Sequence, residues 1–313
     1  MDRKKKIAVL MGGLSNERQV SFESGASVAK ALASTGRYDV VETTIDSEDL
    51  SALPEGTDAA YIALHGGWGE SGGVQAALDA AGIPYTGPGA KASRAAMDKI
   101  ETKRALDAQS IPTARWAVIG PDETAGDSPF GYPVVVKAPR DGSSVGVYKC
   151  ADVNEFRRAA DEARRIDREA GNDGSAIVEE YIPGREATVC VIDGETLPAI
   201  EIVAKGGWYG YDEKYKSDET RFPFLVDSKD ESDHSLDARL RKVAADAFRA
   251  LGCRSVTRVD FRVDPEGRPF VLELNTSPGM TPHSLVPKAV ARAGMEFADV
   301  CSKIIEAASF DRP

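Results

Sequence analysis

The chain has 313 residues, 42% of them hydrophobic and 28% charged. That length exceeds one compact core, so two or three domains are expected in an ordinary globular protein. Its 39 Lys and Arg against 50 Asp and Glu leave a net charge of −11, which argues against a nucleic-acid partner, because phosphate backbones need clustered cations. Met1 to Lys6 is basic like the head of a signal peptide, but the apolar run that follows, Ile7 to Met11, is too short for a secretory core. No segment approaches the roughly 18 apolar residues that span a bilayer, so no membrane association is expected. Cys150, Cys190, Cys253 and Cys301 lie far apart with no CxxC pair, as expected of buried free thiols in a reducing cytoplasm.

Taken in chain order, residues 5–11 read as a buried strand and 24–34 as an Ala-rich helix. Strands at 40–45 and 59–65 follow, then a helix at 74–82 that ends on Gly82. Such alternation predicts a parallel, doubly wound layer. Residues 90–110 read as one long Ala- and Lys-rich helix ending before Pro112. The middle third has a strand at 132–139, a Gly/Ser turn at 141–146, and a capping box of Asp152 with Glu155 that opens a charged helix through Ala170. A strand is expected at 175–182, and 187–192 and 197–204 alternate like sheet. Residues 205–233 are polar, aromatic and Gly-bearing without a period; loops of that length are usually functional or disordered. Leu236, Leu240, Val243, Ala244, Ala247 and Leu251 then recur at helical spacing. Strands at 255–263 and 269–275 are joined by the turn Asp264-Pro265-Glu266-Gly267, and there is no internal repeat.

Four places carry chemistry. Asp260 stands in an apolar strand, and Glu273 and Asn275 alternate with Leu272 and Leu274 on the next one. Two carboxylates and an amide oxygen on neighbouring strands suit Mg²⁺; an exposed sheet face with a salt bridge to Arg258 is the other reading the spacing leaves open. Lys137 ends a valine run before Gly142-Ser143-Ser144-Val145-Gly146, a loop able to aim backbone N–H groups at a phosphate, or to be a plain hairpin turn. It is not a Walker A loop. GGLSNER (12–18) follows the first strand where doubly wound folds bind ligands, although Glu17 and Arg18 also suit a helix's first turn. His65 ends the third strand, and a lone histidine there can equally be structural.

Together these segments resemble the D-alanine–D-alanine ligase family of the ATP-grasp superfamily, in register over nearly the whole chain. MGGLSNERQVS (11–21), HGGWGESGGVQ (65–75), IPYTGPG (83–89) and MDK (97–99) carry the likeness in the first third. VKAPRDGSSVGV (136–147), VEEYIPGRE (178–186), YDEKYKSDET (211–220), RVDF (258–261), LELNTSPGMT (272–281) and MTPHSLVPKA (280–289) carry it onward. The resemblance implies a three-domain α/β ATP-grasp architecture: an N-terminal doubly wound parallel domain over 1–90, then two α+β domains over 91–183 and 184–313 that sandwich ATP.

It also implies an ATP-dependent joining of two D-alanines through a D-alanyl phosphate for cell-wall precursor synthesis, with two Mg²⁺ ions (or Mn²⁺) and a cytoplasmic homodimer. Residue by residue, Glu17 would hold the first ammonium, with His65 beside that subsite. Lys99 and Lys137 would contact ATP phosphates, and the loop from Ser143 and Ser144 to Val147 would cover them. Glu179, Glu180, Tyr181 and Ile182 would read adenine and ribose, with Glu186 on the ribose. Asp260, Glu273 and Asn275 would ligate the metals, while Arg258 and the Gly279 N–H would stabilise the anionic oxygen. Ser284 and Leu285 would take the second carboxylate. Lys214 and Tyr215 belong to a lid expected over about 206–224, with Tyr215 and Ser143 bonding to Glu17 on closure. Retention of Lys214-Tyr215 favours an amine over the hydroxyl nucleophile of D-alanine–D-lactate ligases. The pattern departs at Gln19, Ser71, Ala76 and Ala138, and most at Arg221-Phe222-Pro223-Phe224-Leu225, which touches lid closure rather than reaction class.

Overall fold

β1 (Lys5–Gly12) divides its side chains between two faces: Ile7, Val9 and Met11 enter one core, Ala8 and Leu10 another. It pairs in parallel with β2 (Tyr38–Ile45) and β3 (Ala59–Ile62), giving the sheet order β2-β1-β3. A parallel strand buried on both faces needs cover on both. α1 (Arg18–Ser34) covers one through Val28, Ala29 and Leu32; after the short α2 (Gly67–Glu70), α3 (Gly73–Ala81) covers the other through Val74 and Leu78. Gly25 lets α1 lie against β1, since a Cβ there would come within 2.7 Å of Met11. The structure, a computed structural model, describes residues 3–142, 145–204 and 219–311. Ser143, Ser144, Lys214, Tyr215 and positions 206–218 of the expected lid lie outside them.

The long helix expected over 90–110 is two helices, α4 (Ala90–Met97) and α5 (Lys99–Ala108). Asp98 between them takes an extended conformation and accepts from the N–H groups of Ile100 and Glu101. An aspartate cap competes with helical continuation, which the Ala-rich pattern does not reveal.

A four-stranded antiparallel sheet follows in the order β4-β7-β5-β6: β4 (Trp116–Ile119), β5 (Val134–Lys137), β6 (Val147–Cys150) and β7 (Ala176–Glu180). β5 and β6 form a hairpin across the Gly/Ser segment. α6 (Val153–Glu169) packs Phe156, Ala160 and Ala163 onto Val134, Val136 and Val178, a core of this layer's own. Its Asp152 cap accepts from the N–H groups of Asn154 and Glu155, and Glu155 reaches back to the Ala151 N–H.

The third sheet runs β10-β8-β11-β12, from β8 (Arg185–Ile192), β10 (Ile200–Ile202), β11 (Val256–Val263) and β12 (Pro269–Asn275), with the short β9 (Glu195–Thr196) beside β8. The helix Glu231–Ala250 buries Leu236, Leu240, Ala244 and Ala247 against it. Only the middle of 197–204 is strand. Arg221 and Phe224 bridge antiparallel to Val203 and Ile200, and Phe222 and Phe224 pack on the core. The last residues of the expected lid are therefore a packed segment, because two half-buried phenylalanines rest on the core there.

Two helices absent from the sequence reading, Leu285–Arg292 and Phe297–Glu306, close the chain. They join the parallel layer to the third sheet in one continuous core: Ile7, Val28 and Tyr61 share it with Ile192, Ile200, Val286 and Ile304. Tyr85 and Ser309 exchange backbone hydrogen bonds of 3.1 and 3.2 Å, so the chain's end borders the first layer. All four cysteines are free and buried. Among the described residues no helix is long and apolar enough to cross a membrane.

Candidate active site

The central sheet and the β11–β12 pair face each other across a cavity of about 840 Å³. Its lining includes Lys99, Lys137, Val147, Glu179, Glu180, Tyr181, Ile182, Glu186, Asp260 and Glu273, which come from five separate sequence segments.

One wall is basic. Lys137 ends β5, and its ammonium donates to the Glu179 carboxylate at 2.8 Å. Lys103, one turn into α5 and fully buried, sits 3.3 Å from the other Glu179 oxygen and donates to Thr113 at 2.6 Å. Burial pushes the Glu179 carboxyl up, but the two ammoniums outweigh it and hold it at about 2. Burial lowers Lys103 to about 8 against the pull of Glu179. Glu179, expected to read the base and sugar, lines the cavity with its carboxylate engaged by these lysines. Lys103 was missed: a second lysine four residues after Lys99 reads as a solvated helix face, and nothing local marks it as buried. Lys99 donates to the Asp141 carbonyl at 2.6 Å, and its backbone N–H donates to Pro139 at 2.9 Å, tying α5 to the Gly/Ser hairpin. Its ammonium lies 3.8 Å from Glu273, and burial depresses its pKa.

The opposite wall is acidic. Asp260 pairs with Glu273 in register and Arg258 with Asn275, and a β-bulge follows at Asp260/Phe261. A bulge re-aims side chains, and here both Leu272 and Glu273 line the cavity. Asp260 is buried; it accepts from Arg258 at 2.9 and 2.7 Å and from Thr188 at 2.6 Å. The salt bridge to Arg258 that the spacing left open is thus present. Asn275 Oδ1 accepts the Ser277 N–H at 3.1 Å. Among the described residues no group of three or more His, Cys, Asp or Glu is arranged to hold a metal ion.

At the cavity's end, Arg262 donates to the carbonyls of Ile182 at 3.1 Å and Gly184 at 2.9 Å and lies 3.5 Å from Glu186. Tyr181 lies between cations, Lys149 at 3.9 Å and Arg262 at 5.7 Å from its ring. Glu180 turns its side chain to Arg115 in a bidentate pair of 2.8 and 2.9 Å.

Glu17 caps α1 by position and adjoins Gly66, whose φ of 63° admits no ordinary side chain and where a Cβ would come within 3.0 Å of the Glu17 carboxylate. His65 is buried with both ring nitrogens engaged, Nδ1 on the Ser277 carbonyl at 2.8 Å and Nε2 on Ser24 at 3.1 Å. Burial lowers its pKa against the opposing charge of Glu17. Glu70 was also missed as a site residue; burial first, and Glu17 next, raise its carboxyl to about 7. A Cβ at Gly279 would crowd Ser284, whose Oγ accepts the Thr281 N–H at 3.1 Å; Leu285 opens the following helix and is buried in the core.

A parallel layer, two antiparallel sheets and a pocket walled by lysines on one side and carboxylates on the other make up an ATP-grasp protein. Residues 106–306 match the family model described as the D-ala D-ala ligase C-terminus. A D-alanine–D-alanine ligase from Anaeromyxobacter sp. (strain Fw109-5) is 42% identical over 310 residues, covering 97% of both chains. That of Acidiphilium cryptum is 43% identical, covering 97% of this chain and 99% of its own. Among solved structures, the Bacillus anthracis D-alanine–D-alanine ligase complexed with ATP superposes with a TM-score of 0.81 at 32% identity over 96% of both chains. The chain belongs to the D-alanine–D-alanine ligase family.

Proposed function

We propose that the chain joins two D-alanines to D-alanyl-D-alanine at the expense of ATP, releasing ADP and phosphate. The carrying observation is the cavity in which Lys99 and Lys137 face Asp260 and Glu273. A triphosphate needs cations on one side and metal-holding oxygens on the other, and this pocket has both. The donor set of Asp260, Glu273 and Asn275 is all oxygen and too small for a closed cage, which suits Mg²⁺ that keeps waters and phosphate oxygens. We assign two Mg²⁺ ions to it, with Mn²⁺ able to substitute; bound there, they would neutralise charge on the transferring phosphoryl group.

In this reading the three layers are domains over 1–90, 91–183 and 184–313. Lys99 and Lys137 position the phosphates, with the loop from Ser143 and Ser144 to Val147 above them. Tyr181 and Ile182 flank the adenine, and Glu186, held by Arg262, faces the ribose. Glu17 orients the first D-alanine by its ammonium, so that its carboxylate meets the terminal phosphoryl group and becomes an acyl phosphate. The amine of the second D-alanine, held through Ser284 and Leu285, attacks that carbon. Arg258 and the Gly279 N–H stabilise the oxyanion that forms, where fixed donors act most strongly. Lys214 and Tyr215 close the site against water, because an acyl phosphate hydrolyses readily. The family resemblance adds a cytoplasmic homodimer, which light scattering would check.

The test is phosphate release from ATP and Mg²⁺ with D-alanine, L-alanine or D-alanine plus D-lactate, followed by product mass. D-alanyl-D-alanine is the expected product. A depsipeptide as the main product at neutral pH, or phosphate release indifferent to D-alanine, would sink the proposal.

A further inference from the structure

The turn from Ser277 to Met280 follows β12 and contains Gly279, the donor assigned above to the oxyanion. Ser24, on the buried face of α1, is wholly inaccessible. Its Oγ accepts the Met280 N–H at 3.1 Å and lies 3.1 Å from Nε2 of His65. His65 Nδ1 lies 2.8 Å from the Ser277 carbonyl. A carbonyl only accepts, so Nδ1 carries the ring hydrogen. A buried imidazole is favoured neutral, which leaves Nε2 a lone pair that receives the Ser24 hydroxyl hydrogen. Every donor then has one direction: Met280 N–H to Ser24, Ser24 O–H to His65, His65 Nδ1–H to Ser277. The chain of bonds begins and ends on the same turn and closes through Pro278 and Gly279. Ser277 is fixed from outside the ring as well, its hydroxyl donating to the Leu64 carbonyl at 2.6 Å.

We propose that Ser24 is a positioning residue for ligation, its hydroxyl closing a hydrogen-bonded ring through His65 that holds the Ser277–Met280 turn and aims the Gly279 N–H. The proposal rests on the functional reading above. It also gives α1 a second task, since the helix that Glu17 opens grips the oxyanion turn two turns later. Both ends of the reacting D-alanine are thereby referred to one rigid element. His65 acts within the ring, both its nitrogens bound to protein.

Ser21 supplies the control. It is equally buried on the same helix face, accepts the Gly12 N–H at 2.9 Å and donates to the Ala63 carbonyl at 2.7 Å, outside the ring. Ser24→Ala should lower kcat by about 10- to 100-fold with KM for ATP within about twofold, since small misplacement of a catalytic donor is costly. Ser21→Ala should keep kcat within about threefold while losing comparable thermal stability. ¹⁵N spectra of the histidines should show His65 as the Nδ1–H tautomer in the unaltered protein, and Met280 amide exchange should quicken in Ser24→Ala. An Nε2–H tautomer, or equal kcat losses in the two serine variants, overturns the ring. An unaltered protein with no turnover fails the functional reading instead, and the tautomer and amide exchange still decide the ring.

Discussion

On the wall built from α5, β5 and β7, one buried carboxylate serves two ammoniums: Glu179 binds Lys103 and Lys137, and all three are nearly inaccessible. On the wall built from β11 and β12, Asp260 is held by Arg258 and Thr188, while the Glu273 side chain keeps 34% of its surface exposed and, among the described residues, pairs with Lys99 at 3.8 Å. Near it Glu17 adds negative charge, and burial first, then Glu17 and Glu273, lift the Glu70 carboxyl to about 7. The basic wall is thus fixed within the protein, its geometry set by folding, and its two ammoniums on one carboxylate leave positive charge for phosphate. The acidic wall carries surplus charge suited to cations that arrive with substrate. Substitutions on the two walls should fail in different ways.

The largest effect is expected at Glu273. Glu273→Gln should leave the melting curve near that of the parent and cut D-alanine-dependent phosphate release about a thousandfold, the loss of several kcal/mol of metal-borne stabilisation. Turnover near the parent's at ordinary Mg²⁺ would remove the metal site from β12. Glu179→Gln should break the fold's balance instead, costing about 3 kcal/mol in urea unfolding because two buried ammoniums lose their partner. The sign with pH follows. A carboxyl held at about 2 against an ordinary 4.5 stabilises fully above 4.5, and that contribution is lost as pH falls from 4.5 toward 2. The acid limb of the stability profile should therefore flatten in Glu179→Gln; an unchanged limb would refute the node.

Glu70 runs the other way. Raised to about 7 from 4.5, it binds a proton more tightly folded than unfolded, so its contribution is greatest below 4.5 and is lost as pH climbs to 7. Glu70→Gln should then be more stable than the parent at pH 8, by on the order of 2 kcal/mol, and indistinguishable near pH 4. Equal stability across the range would mean that the acidic wall is not crowded. The smallest effect is expected at Asp98, where Asp98→Ala removes the α5 cap at about 1 kcal/mol. It also removes one of the three carboxylates that hold Arg140, which donates to Asp98 at 2.7 Å and stays bound to Asp167 and Asp173, and should raise KM for ATP through Lys99. A melting-temperature loss with KM untouched would make the cap purely structural.

The acidic wall was legible in the sequence because carboxylates in apolar strands violate the expected pattern, and Asp260 and Glu273 do so visibly. The bulge that re-aims Leu272 and Glu273 was not, since no Gly or turn residue marks it. Lys137 stood out at the end of a valine run, yet Lys103 looked like a solvated helix lysine because its burial depends on Glu179, 76 residues away. Strand–helix alternation revealed the parallel layer, whereas the two antiparallel sheets were only partly marked: β4, β6 and β9 are too short to show a pattern. The break at Asp98 was hidden by alanines that suit a helix on either side. The shared core escaped for a related reason: Ile7 and Ile304 are each ordinary apolar residues, and only the tertiary fold makes them neighbours.

The pairing of Tyr85 with Ser309 bears on how the molecule is made. The first layer to leave the ribosome lacks Val300, Cys301, Ile304 and Ile305 of its core until the last helix has been synthesised. Its assembly is therefore tied to synthesis of the helix Phe297–Glu306, and contacts of such sequence separation form slowly. While the central sheet, with a core of its own, can collapse as it appears, the amino-terminal half must wait with an apolar face uncovered. Loss of the final helix would then be felt first at the opposite end of the polypeptide, as a nascent layer exposed to chaperones and proteases.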